Sequence, residues 1–237
     1  MKKLLITTVA LATLATGAMA ENVRLGTEGA YAPWNFLNDA GEVDGFEREL
    51  GDELCARAEL KCEWVTNAWD SIIPNLVSGN YDAIIAGMSI TAERQEQIDF
   101  TQNYTPPDPS GYIAKSADAD IMGGVIAAQT NTIQSAFVAE SGATLVEFAT
   151  PEETIAAVKN GEADAVLADS SYLAPIADED AELVLLDKTE SLGGGVGMGF
   201  RKSDAELRAK FDAAIQSMKD DGSLNELITK WEVSSTF

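Results

Sequence analysis

DAIIAGMSITAERQ, running from Asp82 to Gln95, decides how the rest of the chain is read. Its opening apolar run, Asp82–Ala86, carries two adjacent isoleucines and predicts a buried parallel strand rather than a helix. Gly87 then frees the backbone, Met88 follows, and Ser89 supplies a hydroxyl just past the strand end. Thr91 stands where an N-cap belongs, ahead of a helical turn that carries Arg94. In an open α/β sheet, ligands bind beyond the carboxyl ends of the strands. The stretch therefore sets a hydroxyl, free backbone groups and a guanidinium where a small anion can be held. Taken alone, it is equally compatible with a surface arginine on an ordinary helix.

Outward from this stretch the pattern repeats. Upstream, Val23–Thr27 reads as a first strand, followed by the aromatic loop TEGAYAPWNF (Thr27–Phe36). Asp44 and Glu47 form an acidic variant of the capping box, ahead of the helical stripe Phe46, Leu50, Leu54 and Ala58. Cys62–Val65 is a second strand. Asp70 or Ser71 caps the next helix, with Ile72, Ile73, Leu76 and Val77 facing inward and Gly79 at its end. The β-α-β-α-β order with short connections favours a right-handed, mainly parallel sheet.

The Pro-rich segment YTPPDPSG (Tyr104–Gly111) marks a boundary, and the pattern restarts. Val125–Ala128, Thr144–Phe148 and Asp164–Ala168 are strands. A helix from Thr132 to Glu140 and a second, opened by Thr150, Pro151 and Glu153 and closed at Asn160-Gly161, lie between them. At an offset of 82 residues Gly79 meets Gly161, Asp82 meets Asp164, Gly87 meets Asp169 and Ser89 meets Ser171. Two similar lobes are expected, each ending its last strand at a polar group. SLGGGVGMGFR (Ser191–Arg201) is too glycine-rich for a core strand and reads as a flexible crossover, with helices over Ser203–Asp221 and Ser223–Glu232 to finish. Lobe 1 is thus expected over residues 21–109 and 194–237, with lobe 2 inserted at 110–193. The two crossovers form a hinge, and the cleft between lobes is the site.

Composition narrows the chemistry. Residues 1–20, with Lys2 and Lys3 before an apolar run and Ala18-Met19-Ala20 at the end, read as a cleaved secretory signal peptide. The net charge is −23, and loss of that leader makes it more negative. Such a surface repels nucleic acid and anionic lipid. With no histidine at all, histidine triads, histidine general bases and the common zinc sites are excluded; no metal or cofactor is expected. In an exported chain the two cysteines, Cys55 and Cys62, are expected to form a disulfide worth roughly 2.5 kcal/mol on the chain-entropy view; two buried thiols are the alternative.

TEGAYAPWNF, GFERELGDELC, NAWDSIIPNL, DAIIAGMSITAERQ, NGEADAVLADSS and GVGMGFRK together resemble the periplasmic polar amino acid-binding proteins, the family that includes lysine/arginine/ornithine-, histidine- and opine-binding receptors of ABC importers. The resemblance spans nearly the whole mature chain. It implies a two-lobed α/β clamp that closes on one free amino acid and docks on a membrane permease, as a monomer in the periplasm. It also implies roles. Arg94 takes the ligand α-carboxylate, helped by Ser89 and by the backbone N–H of Thr132 at a helix start; the Gly87 carbonyl, the Ser89 hydroxyl and Asp169 hold the α-amino group. Tyr31 and Trp69 flank the ligand side chain, Trp34 packs inward, and Glu28 stands where cation-selecting relatives keep an acid. The Cys55–Cys62 bridge matches as well. Thr130-Asn131-Thr132 replaces the usual Gly-Thr-Thr, so Asn131 joins the site in a changed loop, and Ala86 stands where some relatives carry serine. The bland readings are specific: Asp169 as a helix cap, Trp69 as a hydrophobic staple, Glu28 as a solvated loop acid. A rival of another class is a dehydratase on this fold, acting on prephenate or arogenate, with Glu28 as general acid.

Overall fold

The computed structural model describes residues 22–237; the expected signal peptide, residues 1–20, lies outside the described residues. The chain opens with β1 (Asn22–Thr27), β2 (Ala30–Tyr31), β3 (Asn35–Leu37), β4 (Val43–Asp44) and α1 (Phe46–Arg57). There follow β5 (Lys61–Thr66), a 3₁₀ turn at Trp69–Ser71, α2 (Ile72–Val77), β6 (Ala83–Ile84), α3 (Ala92–Gln97) and β7 (Asp99–Phe100). The chain then crosses to a second lobe of β8 (Ser110–Ala114), β9 (Val125–Gln129), α4 (Ile133–Glu140), β10 (Thr144–Phe148), α5 (Pro151–Asn160), β11 (Ala165–Asp169), α6 (Ser170–Glu179) and β12 (Val184–Glu190). It returns through β13 (Gly199–Phe200) and ends in α7 (Ala205–Asp221) and α8 (Ser223–Trp231).

Each lobe is built on a five-stranded sheet, ordered β5-β1-β6-β13-β7 in the first and β10-β9-β11-β8-β12 in the second. The first three strands in each order run parallel, with the earliest in the middle. The fourth is antiparallel to its neighbours, and in each lobe it is the strand laid down just after the chain crosses over. Four of the five strands in each sheet thus run in one direction, a mainly parallel arrangement with one reversed strand. The expectation for Ser191–Arg201 is corrected at its end: this glycine-rich crossover delivers β13, fully buried, into the first sheet. Glycine is what permits it, because a Cβ on Gly199 would lie 2.9 Å from Cδ1 of Ile98.

Both faces of each sheet are covered. Along β6 and its continuation, Ala83 and Ile85 enter one apolar cluster while Ile84 and Ala86 enter the other, the alternation that a pleated strand imposes. Neighbouring strands of lobe 2 divide likewise: Val166 faces one cluster, Ala165 and Leu167 the other.

The 82-residue repeat has a structural meaning. Asp82 Oδ2 accepts from the Arg24 amide at 3.0 Å, and Asp164 Oδ2 accepts from the Val125 amide at 2.7 Å. In both lobes, then, the acid ahead of the third strand pins the first strand. Gly79 and Gly161 end the preceding helices at φ +82° and +78°, left-handed conformations that glycine adopts without strain.

Thr91, Thr132 and Thr150 cap their helices through side-chain hydrogen bonds, and Thr150 with Glu153 forms a complete capping box. Asp44 and Glu47 do not. Asp44 bonds the Gly45 amide, while Glu47 is fully buried and accepts from Asn35, the Gly87 amide and Tyr104. Three remote donors outcompete a local cap. Neither Asp70 nor Ser71 makes a side-chain cap, and Val77, expected inside, is exposed. Cys55 on α1 is joined to Cys62 on β5.

Candidate functional site

The lobes meet along the ends of β6 and β11. Glu28, Tyr31, Trp69, Gly87, Ser89 and Arg94 from lobe 1 line one chamber with Thr132 and Asp169 from lobe 2. Of the other two expected residues, Met88 has its side chain in the core below and reaches only an outer groove. Asn131 sits at φ +57° with an exposed side chain, and what it contributes is its carbonyl.

One corner is cationic. Helix α3, held by its Thr91 cap, points Arg94 into the chamber, where the residue is 9% exposed. Its guanidinium donates to the carbonyls of Ser89 (2.9 Å) and Asn131 (3.2 Å) and lies over the Trp69 ring, 5.3 Å from the centroid. Among the described residues no carboxylate forms an ion pair with it. Burial pulls its pKa down to about 10 against the pull of Asp169 and Glu93. A buried cation held only by neutral groups carries a desolvation cost that an incoming anion would relieve. Beside it, the amide N–H of Ser89 donates to no acceptor among the described residues, and the Thr132 amide stands at the start of α4. Trp69 is thus a platform for Arg94 and, through its Nε1 bond to the Asn131 carbonyl, a contact between lobes.

The facing corner is anionic. Asp169 takes the N-cap position of α6 yet makes no cap bond. Instead its carboxylate accepts from Tyr31 Oη at 3.0 Å and Gln134 Nε2 at 2.7 Å. Burial, then the charge of Asp108, raises its pKa to about 7, opposed by the bonds from Tyr31 and Gln134 and by Arg94. Tyr31 stacks on Tyr172 at 4.3 Å. Gly87 stands alongside at φ +60°, its amide anchored on Glu47, so the direction of its carbonyl is set by a conformation that a side chain would disfavour.

Glu28 forms a third point. It is half-buried, and its carboxyl is pushed up to about 7 by desolvation, opposed by a hydrogen bond from Gln129 and assisted by Asp70. Trp34 does pack inward, 1% exposed against Phe46. Its Nε1 nevertheless crosses to Ser171 Oγ at 2.8 Å, and Ser171 donates on to Asp108 at 2.7 Å.

Sequence reasoning missed Gln129 and Gln134, each holding one of the two acids, and Asp108 behind Ser171. Only the Gln-Thr-Asn-Thr loop and the Pro-rich boundary hinted at them, since their partners lie 101, 35 and 63 residues away.

The crystal structure of a periplasmic His/Glu/Gln/Arg/opine family-binding protein from Silicibacter pomeroyi, in complex with lysine, is 70% identical and superposes with a TM-score of 0.89, covering 91% of this chain and 100% of that one. The octopine-binding periplasmic protein of Rhizobium meliloti is 31% identical over 90% of this chain and 91% of its own length. The lysine/arginine/ornithine-binding periplasmic protein of Escherichia coli is 32% identical over 94% and 93%. The sequence profile of one family matches residues 23–234, all but the ends of the described chain: the protein belongs to the bacterial extracellular solute-binding proteins, family 3.

Proposed function

We propose that the chain is the extracytoplasmic receptor of an ABC importer, a monomer exported by a cleaved signal peptide, that closes on a free cationic amino acid or an opine-like derivative and presents the closed form to its membrane permease. The observation that carries this is a guanidinium and a carboxyl that face one chamber from opposite lobes, Arg94 and Asp169, neither of them in an ion pair among the described residues. A zwitterion answers both at once. Its carboxylate meets the guanidinium and the amides of Ser89 and Thr132. Its ammonium meets Asp169, the Ser89 hydroxyl and the Gly87 carbonyl. Each charge-assisted bond is worth about 1.5–3 kcal/mol. Glu28 then answers a cation at the far end of the ligand, with Tyr31 and Trp69 beside the intervening chain. Because Arg94 and Asp169 sit on different lobes, the ligand binds the closed state better than the open one, and this difference is all that can drive closure.

Calorimetric titration with lysine, arginine, ornithine, octopine, histidine, glutamine and glutamate tests the reading. Submicromolar binding confined to cationic members or octopine is expected, and Arg94→Ala should abolish it while the protein stays folded; unchanged affinity in that variant would remove the carboxylate assignment. A second reading has one observation behind it: a half-buried Glu28 near pKa 7 suits a general acid. Incubation with prephenate or arogenate separates the two, since a dehydratase releases an aromatic product and a receptor releases none.

A further inference from the structure

The functional reading leaves unassigned the group that holds Glu28. Gln129 is the last residue of β9, 8% exposed, and belongs to the lobe opposite Glu28. Its Nε2 donates to Glu28 Oε1 at 2.6 Å and to the Ala149 carbonyl at 3.1 Å. Both amide hydrogens are thereby committed, one to Glu28 and one to the Ala149 carbonyl, which only accepts. Turning the carboxamide over would set its oxygen against a carboxylate and a carbonyl, so its orientation is fixed by its surroundings. The backbone holds it as well: the Gln129 carbonyl accepts from Thr132 Oγ1 at 2.7 Å, and its strand position pairs with Phe148.

We propose that Gln129 is a positioning residue that fixes Glu28 as the cation-binding group of the side-chain pocket and so sets the preference for cationic over neutral ligands, an inference that rests on the functional reading above. One Glu28 oxygen is committed to Gln129, and Oε2 bonds to no described residue, which leaves it for the ligand. The donor comes from one lobe and the acid from the other, so the side-chain pocket is completed only as the lobes close. Electrostatics act in the same direction. Burial and Asp70 favour a protonated Glu28, and the Gln129 bond favours the carboxylate. A neutral ligand gains little from an ionised Glu28, whereas a cationic one depends on it.

The test measures lysine and glutamine affinity by calorimetry at pH 7.5 for the wild type, Gln129→Met, Glu28→Gln and the double variant. Methionine keeps the length and volume and removes the donor. The lysine-to-glutamine affinity ratio should fall about tenfold in Gln129→Met, the effect of losing one hydrogen bond to a charged group. It should fall no further when the same change is made on top of Glu28→Gln. Equal losses for both ligands would make Gln129 a mere closure contact and overturn the proposal, as would a ratio change that persists without the Glu28 carboxylate. Gln129→Asn, whose amide is one methylene too short to reach, serves if the methionine variant does not fold, with the same expected ratio loss. A wild type that binds no cationic amino acid would overturn the functional reading itself, a result distinct from a wild type that prefers lysine and a variant that prefers it equally.

Discussion

The two lobes share a scaffold and differ in charge. Each has the same strand order, the same left-handed glycine (Gly79, Gly161) and the same acid pinning its first strand (Asp82, Asp164). They part company at the end of the third strand. In lobe 1 the chain turns through Gly87 at φ +60° into a loop, then a short helix that offers Arg94. In lobe 2 the matching Asp169 sits at φ −62° and leads straight into α6. What the lobes share is the machinery that orders backbone, and what differs is the charge at its tip. The proposed clamp for a zwitterion rests on two similar βαβ units whose tips carry opposite signs.

Removing each tip in turn breaks that comparison most severely. Arg94→Ala should weaken ligand binding by about a thousandfold or more, because several charge-assisted bonds vanish and the ligand carboxylate is left buried beside carbonyls. Asp169→Asn, which keeps the shape and one acceptor oxygen, should cost about a hundredfold. Calorimetry ranks the two, and thermal unfolding without ligand should show Arg94→Ala no less stable than the wild type, since it removes a buried cation with no ionic partner. An Asp169→Asn loss exceeding that of Arg94→Ala would shift the centre of the clamp to lobe 2.

The acidic corners also respond to pH where the cationic one does not. Asp169 and Glu28 both have folded pKa values raised to about 7, above the unfolded values of about 4. The folded, ligand-free protein therefore holds more protons than the unfolded chain between about pH 4 and 7, so its stability falls as the pH rises through this window. A cationic ligand reverses the preference by requiring both carboxylates. The rise in melting temperature caused by lysine should accordingly grow from pH 5.5 to pH 8, and binding at pH 6.5 should release protons, visible as a dependence of calorimetric enthalpy on the buffer. A melting shift independent of pH would mean that neither acid meets the ligand's charges.

Much of this was legible in the chain, and the exceptions share a cause. Local signals reported faithfully: the threonine caps at 91 and 150, the apolar strands, and the glycines at 79 and 161, all of which act within a few residues. The 82-residue match carried more than it showed, since it located Asp82 and Asp164 without revealing that each accepts a strand amide. The failures are residues whose partners are remote. Glu47 has a capping-box spacing to Asp44, yet its donors come from positions 35, 87 and 104. β13 looked like linker because glycine usually weakens strands. Here the close approach of Ile98 demands one, and Ile98 comes from the other side of the inserted lobe. Gln129 and Gln134 lie in an unremarkable polar stretch; Gln129 reaches Glu28 only across the closed cleft, and Gln134 meets Asp169 only through the folding of lobe 2.

The shared aspartates test whether the scaffold itself is symmetric. Asp164 accepts a single backbone amide. Asp82 accepts the same kind of bond and, in addition, the guanidinium groups of Arg24 and Arg201 at 2.9 and 3.0 Å. Burial alone would raise the pKa of Asp82, but the bonds from Arg24 and Arg201 bring it to about 2. Asp82→Asn should therefore destabilise by about 2–3 kcal/mol and Asp164→Asn by about 1. The Asp82 contribution is a depressed-pKa one, present above about pH 4 and lost as the pH falls toward 2. Urea titrations at pH 7 and pH 3 separate these: the gap between Asp82→Asn and the wild type should narrow at the lower pH, and a gap unaffected by pH would assign the loss to packing.

The smallest effect concerns what the lobes do to each other without a ligand. Tyr31 and Trp34, both from the aromatic loop of lobe 1, reach the first turn of α6 and its flank: Tyr31 bonds Asp169 and stacks on Tyr172, while Trp34 donates to Ser171. Ser171 in turn donates to Asp108, on the segment that crosses between the lobes. These contacts are complete in protein atoms alone, so they lower the free energy of closure whatever ligand is present. Trp34→Phe removes the one bond while keeping an aromatic ring against Phe46. At about 1 kcal/mol for a neutral hydrogen bond, the closed population should fall by about fivefold, and affinity for every ligand should fall by the same factor. Small-angle scattering on the ligand-free variant should show a larger radius of gyration than the wild type. Equal loss for lysine and glutamine is the signature of a closure contact, opposite to the selective loss expected at Gln129. If Trp34→Phe instead altered the lysine-to-glutamine ratio, the loop would be reading the ligand side chain rather than holding the lobes together.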